Sequence, residues 1–165
     1  DVVDAALGPA AARDRPSGTA DHRLLGAADR PALDRLTAEL ATIDAIAAAH
    51  PEAAGRLVAR HGTQAPAVVA LGGLLDLLRP LVPGRPFLEA EVAWAVRHEI
   101  ALSVDDVLTR RSRLSPELAD RGAEAAPRVA TIMGAELGWG ETRQALETQT
   151  YLDGARREFA VPPAD

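Results

Sequence analysis

The chain has 165 residues, no cysteine and a formal net charge of −6, which excludes a disulfide framework, a thiolate metal site and a cysteine nucleophile. All 18 basic residues are arginine and aromatic residues make up only 3%. That balance is a poor fit to nucleic acid, which asks for neutralised phosphates and stacking rings. No apolar run approaches the roughly 20 residues needed to span a bilayer, and the opening Asp1-Val2-Val3-Asp4, without a basic region or an initiator Met, reads as a piece cut from a longer chain rather than a signal peptide.

Residues 1–30 stand apart in composition. Val2 to Leu7 suits the last helix of a preceding domain, and Gly8-Pro9, Arg13-Asp14-Arg15-Pro16 and Ser17-Gly18 have linker chemistry. The folded domain is expected over 31–160, with 161–165 as a tail. Asp29 is placed to cap and Pro31 to sit in the first turn of a helix. Leu33, Leu36, Leu40, Ile43 and Ala47 then recur at spacings of three and four, predicting one apolar face. Pro51 opens a second helix with Leu57 and Val58 on its apolar side, and Gly62 stops it. Ala65 to Leu78 predicts a third, aligned on Val68, Leu71, Leu75 and Leu78, with Gly72-Gly73 weakening its middle. Arg79 to Pro86 is an irregular connector.

The most patterned stretch follows. Leu88 to Leu102 reads as a helix with Leu88, Val92, Ala95 and Glu99 on one side. Ser103 starts the next, with Asp106 three residues on as the reciprocal partner of a capping box. Val104, Val107, Leu108 and Arg111 line that short helix, and Ser115-Pro116-Glu117 begins another turn, closed by Gly122. Glu124 to Leu137 predicts a strong helix with Pro127 in its first turn and Val129, Ile132, Met133 and Leu137 inward. Gly138 ends it, and Glu141 to about Phe159 is the last. No alternating pattern long enough for a strand occurs. The fold class is therefore all-α, a bundle of about six to seven helices packed through Leu, Val, Ile and Ala.

No motif for catalysis, metal or nucleotide stands complete. His98-Glu99 opens a zincin pattern, but Leu102 occupies the second histidine position. The four histidines (22, 50, 61 and 98) are scattered, and His98 fits a helix surface. Ser103, Asp105 and His98 lack a nucleophile elbow, so a capping role accounts for Ser103. Gly72-Gly73 and Gly138-Trp139-Gly140 follow no strand and lack phosphate-loop spacing. Arg110, Arg111 and Arg113 form the only dense basic cluster. Such a cluster suits an anion, an acidic lipid surface or an interdomain carboxylate; alternatively it complements a helix C-terminus and pairs with Glu89, Glu91, Glu99 or Asp106. Arg111 continues an apolar stripe, and Glu99 is its expected partner in a buried ion pair. Trp94 and Trp139 would be interface anchors if exposed.

The run Phe87-Leu88-Glu89-Ala90-Glu91-Val92-Ala93-Trp94, Glu99, then Asp106-Val107-Leu108-Thr109-Arg110-Arg111-Ser112-Arg113 resembles the C-terminal domain of bacterial FAD-dependent glycerol-3-phosphate dehydrogenases. Leu24-Leu25-Gly26-Ala27, Arg60-His61-Gly62 (where the family usually has Tyr in the middle), Arg121-Gly122, Gly138-Trp139 and Glu147 with Tyr151 extend the likeness over roughly residues 20 to 155. The resemblance implies a helical cap on a larger N-terminal domain that holds FAD and substrate. The whole enzyme would oxidise sn-glycerol 3-phosphate, reduce quinone and sit in the cytoplasm at the inner face of the membrane, as an oligomer or alone. It places no catalytic, cofactor or metal residue in this chain. Two alternatives stay open: a free-standing helical interaction module, and a dock for anionic membranes through Arg110, Arg111 and Arg113.

Overall fold

The computed structural model describes residues 21–158. The readings for Val2 to Leu7, the 8–18 linker, Phe159 and the 161–165 tail lie outside the described residues. Among those described there are eight α-helices: α1 Arg30–Ala41, α2 Asp44–Ala49, α3 Ala53–His61, α4 Ala65–Leu75, α5 Ala90–His98, α6 Leu114–Glu117, α7 Ala126–Leu137 and α8 Glu141–Glu158. A 3-10 turn, Gly62–Gln64, and a π-helical segment, Asp106–Arg111, complete the set. Two of the eight, α2 and α6, are short, so the longer helices number within the expected bundle. The described residues form no strand, only an isolated antiparallel bridge between Pro80 and Leu88.

Several helix ends follow the chemistry read from sequence. Asp29 Oδ1 accepts the Ala32 N–H at 2.8 Å, with Pro31 in the first turn of α1. Gly62 and Gly138 close α3 and α7 at φ +56° and +70°. The capping box forms: Asp106 N–H donates to Ser103 Oγ, and Ser103 N–H to Asp106 Oδ2, at 3.1 Å each.

Three helices are shorter than their periodicity suggests; the one expected over 65–78 stops at Leu75, where Asp76 takes a left-handed φ of +56°. The 33–47 stripe is broken at Thr42, whose hydroxyl donates to the Glu39 carbonyl at 2.7 Å and competes with the helical ladder. The chain restarts at Asp44, so Ile46 is buried and Ala47 is exposed. The 88–102 helix begins at Ala90 and ends at His98. Its last turn is closed by Ile100 in a left-handed conformation, φ +56°, and the Ala101 N–H folds back onto the Ala95 carbonyl at 3.0 Å. A left-handed position costs a non-glycine residue about 1–2 kcal/mol, and β-branching makes it rarer still.

The layers pair as α1 on α3, α4 on α5, α5 on α7 and α7 on α8. Gly72 does not break α4. It lets α4 press onto α5, since a Cβ there would lie 2.8 Å from the Ala90 Cβ and closer still to Leu78. The shared core holds Phe87, Leu57, Leu88, Leu108, Leu114 and Met133, all nearly inaccessible. The π-helical turn is fastened by Ser112, whose N–H and hydroxyl both donate to the Val107 carbonyl, at 2.8 and 2.7 Å. Tyr151 anchors α8: its hydroxyl donates to the Arg121 carbonyl, and burial raises its pKa.

The packed unit also begins earlier than Pro31. Gly26, at φ +83°, lies directly on Gly62, and the Thr63 N–H donates to the Gly26 carbonyl at 2.9 Å. A Cβ on Gly62 would fall on the Gly26 carbonyl oxygen, and one on Gly26 would lie 2.7 Å from the His61 carbonyl oxygen. Only two glycines allow this backbone crossing.

Candidate interdomain site

The charged residues that matter most sit where the end of α3 meets the end of α5. α3 delivers Arg60 and His61; α5 delivers Glu91, Trp94 and its capping residue Glu99. Arg60 Nη2 donates to Glu99 Oε2 at 3.1 Å, and its Nη1 donates to the Arg111 carbonyl. Arg60 Nε lies 3.6 Å from Glu91 Oε1. His61 Nε2 stands 3.4 Å from the same Glu91 oxygen, and its Nδ1 3.8 Å from Glu99 Oε1. The other Glu91 oxygen accepts the Leu88 N–H at 3.0 Å, capping the start of α5. Arg111 Nε donates to the Glu99 backbone carbonyl at 2.9 Å. The Glu91 and Glu99 carboxylates therefore share one guanidinium, that of Arg60, with the His61 ring beside both, so the charge drawn in here has a partner of opposite sign.

The expected Glu99–Arg111 carboxylate pair is replaced by this arrangement. Arg60, from a helix far back in sequence, reaches the Glu99 carboxylate, and Arg111 is left with the peptide carbonyl. Nor do Glu89 and Glu91 serve the basic cluster. Glu89 is buried and gripped by Arg128 through two bonds of 2.7 Å and by Arg79 at 3.0 Å. Burial pushes its carboxyl up, but the Arg128 and Arg79 hydrogen bonds outweigh that and hold it below the ordinary carboxylate range. Of the cluster itself, Arg110 pairs with Asp106 at 2.6 Å and with Asp105 at 2.9 Å. Arg113 is exposed, at φ +56°. Arg110 and Arg111 thus have different partners, two carboxylates for the first and a peptide carbonyl for the second.

Trp94 is only 5% exposed, so its role is internal. It meets His61 edge-on at 6.1 Å and stacks on His98 at 4.0 Å. His98 is exposed, as a helix-surface residue. Trp139 is half-buried, with Arg143 over its ring at 5.6 Å. Ser103, Asp105 and His98 are not gathered into a nucleophile set: Ser103 caps, and Asp105 Oδ1 accepts the Thr109 hydroxyl at 2.8 Å. Among the described residues no group of three or more His, Asp or Glu is placed to hold a metal, and no helix is long and apolar enough to cross a membrane.

The loop after α5, Glu99 to Leu102, is the feature that sequence reasoning missed. It is held by Arg111 on the Glu99 carbonyl and by Asp106 Oδ2, which accepts the Leu102 and Ser103 N–H groups at 3.1 Å each. Burial raises the Asp106 carboxyl, but those backbone bonds, Ser103 and Arg110 together lower it overall. Ile100 carries no signal such as a glycine that would have marked the turn. Arg60 and His61 also line a groove of about 440 Å³ whose walls include Leu24, Leu25, Gly26 and Gly62.

The sequence profile described as the C-terminal domain of alpha-glycerophosphate oxidase matches residues 17–144. The chain belongs to that family. It is also 35% identical over 98% of its length to a glycerol-3-phosphate dehydrogenase of Mycobacterium leprae, and covers 27% of that protein. A glycerol-3-phosphate dehydrogenase 2 of Mycobacterium tuberculosis is 33% identical over the same share of each chain. A mitochondrial glycerol-3-phosphate dehydrogenase of Arabidopsis thaliana is 38% identical over 59% of this chain and 15% of its own. The chain thus spans about a quarter of the length of its mycobacterial relatives. No solved structure matches it.

Proposed function

We propose that this chain is the non-catalytic helical C-terminal domain, folded over residues 31–160 with the docked segment before it, of an FAD-dependent sn-glycerol-3-phosphate dehydrogenase. The catalytic portion would precede it in the same polypeptide, oxidise glycerol 3-phosphate to dihydroxyacetone phosphate and pass the electrons through FAD to quinone, from the cytoplasmic side of the membrane. The observation that carries this reading is the match along 98% of the chain to glycerol-3-phosphate dehydrogenases that are nearly four times as long.

The described residues form no cradle of the kind that FAD asks for. A dinucleotide asks for a glycine-rich turn between a strand and a helix. Gly72 instead lies inside α4 against Ala90, and Gly138 caps α7. The buried charges close on one another and on peptide carbonyls, so they are spent on holding helix ends together. Flavin and substrate chemistry are assigned to the preceding portion.

The test compares this chain with the longer polypeptide that carries it. The longer one should purify with flavin absorbance and reduce a quinone analogue when glycerol 3-phosphate is added. The 165-residue chain should take up none. A flavin-free longer polypeptide, or stoichiometric FAD on this chain alone, would overturn the reading.

A further inference from the structure

The hub formed by Arg60, His61, Glu91, Glu99 and Arg111 explains its own charges, but not the loop that it steadies. Ile100 and Leu102 are 76% and 60% exposed, while Ala101 between them is fully buried. Ile100 is the one β-branched residue among the described positions with positive φ. The loop is pinned from both flanks, through the Glu99 carbonyl and through Asp106. A strained, well-anchored turn that aims two aliphatic side chains at water has the form of a preorganised contact. Leu24 and Leu25, 81% and 85% exposed, border the groove whose wall includes Arg60 and His61. Those same two side chains reach Glu99, so both aliphatic pairs flank one hub.

We propose that Ile100 and Leu102, with Leu24 and Leu25, form the surface on which the preceding portion of the same polypeptide docks. The inference rests on the reading of this chain as a C-terminal domain, and it adds which face meets the catalytic portion. The occupant follows from two observations. The mycobacterial relatives have about three quarters of their length outside this match, and the segment that leads into the domain is pinned beside the hub by the Gly26–Gly62 crossing. A tethered partner delivered to that side has a high effective concentration. Four aliphatic side chains fall short of the about 800 Å² per partner that stable free association uses, which disfavours a second copy.

Ile100→Gly separates docking from folding, because it removes the side chain and also relieves the left-handed backbone. Ile100→Gly and Leu102→Asp are made in the longer polypeptide and in the 165-residue chain. In the longer polypeptide, tryptic cleavage at Arg13, which unlike Arg15 is not followed by proline, should speed up about tenfold, equivalent to about 1.4 kcal/mol of docking. In the 165-residue chain, Ile100→Gly should melt no lower than the parent sequence. Unchanged cleavage in both variants would overturn the proposal. So would an equal loss of stability in the short chain, or a short-chain dimer that the substitutions dissolve while cleavage in the longer polypeptide stays the same. A longer polypeptide that shows the cleavage effect without oxidising glycerol 3-phosphate would keep this inference and defeat the proposed activity.

Discussion

The ends of α5 and α7 make the same left-handed turn with different residues. α7 closes on Gly138 at φ +70°, where nothing lies within 4 Å of the place a Cβ would take. α5 closes on Ile100 at φ +56°. The first end is an ordinary stop, stable by its own residue. The second is over-determined from outside, by Arg111 on the preceding carbonyl and Asp106 on the following amides. A strained residue persists where its surroundings fix it, so the hub around Glu99 and the shape of the 99–102 loop belong to one account.

That contrast can be broken or sharpened by substitution. The largest effect is expected at a third left-handed position, Gly62, where a side chain meets the backbone of another segment instead of open space. Gly62→Ala should cost about 3 kcal/mol or more in urea unfolding. Glu99→Ala leaves Arg60 facing Glu91 alone and removes the support of the strained turn; a loss of about 2 kcal/mol is expected, with faster amide exchange at Ala101. Gly138→Ala should lose about 1 kcal/mol, the intrinsic left-handed penalty with no clash added. Ile100→Gly should move the other way, gaining up to about 1 kcal/mol in this chain. If both glycine-swapping variants lost stability equally, the two helix ends would be alike after all.

The smallest effect is a response to acid. The Asp106 carboxyl is lowered overall, so its contribution is fully present above the ordinary aspartate range and is lost as pH falls through its depressed folded value. Amide exchange at Leu102 and Ser103 should therefore rise in that acid window and Trp139 should not follow. Asp106→Asn should abolish the pH dependence.

What was legible in the sequence was what carries a local chemical mark. Asp29, the Ser103–Asp106 box, Gly62 and Gly138 each name the bond or conformation they supply, and the structure uses them so. The apolar stripes gave the helical class for the same reason. Thr42 was not legible as a break, because a threonine inside a good stripe is usually tolerated. Ile100 was not legible as a stop, because isoleucine argues for continuing the helix. The Arg60–Glu99 pair spans 39 positions, and no periodicity links residues that meet only after α3 and α5 are packed. Arg111 lay on the right stripe, yet its partner became a carbonyl once Arg60 had taken the carboxylate.

The crossing of Gly26 over Gly62 has a mechanical consequence. Tension arriving from upstream along the chain reaches the bundle through this seam, where one backbone hydrogen bond and a pair of side-chain-free residues carry the load. The core of Leu57, Leu88, Leu108 and Met133 lies beyond it. Pulled by its leading end, the domain should therefore yield first at the seam, releasing a short length of chain at low force before any helix unravels.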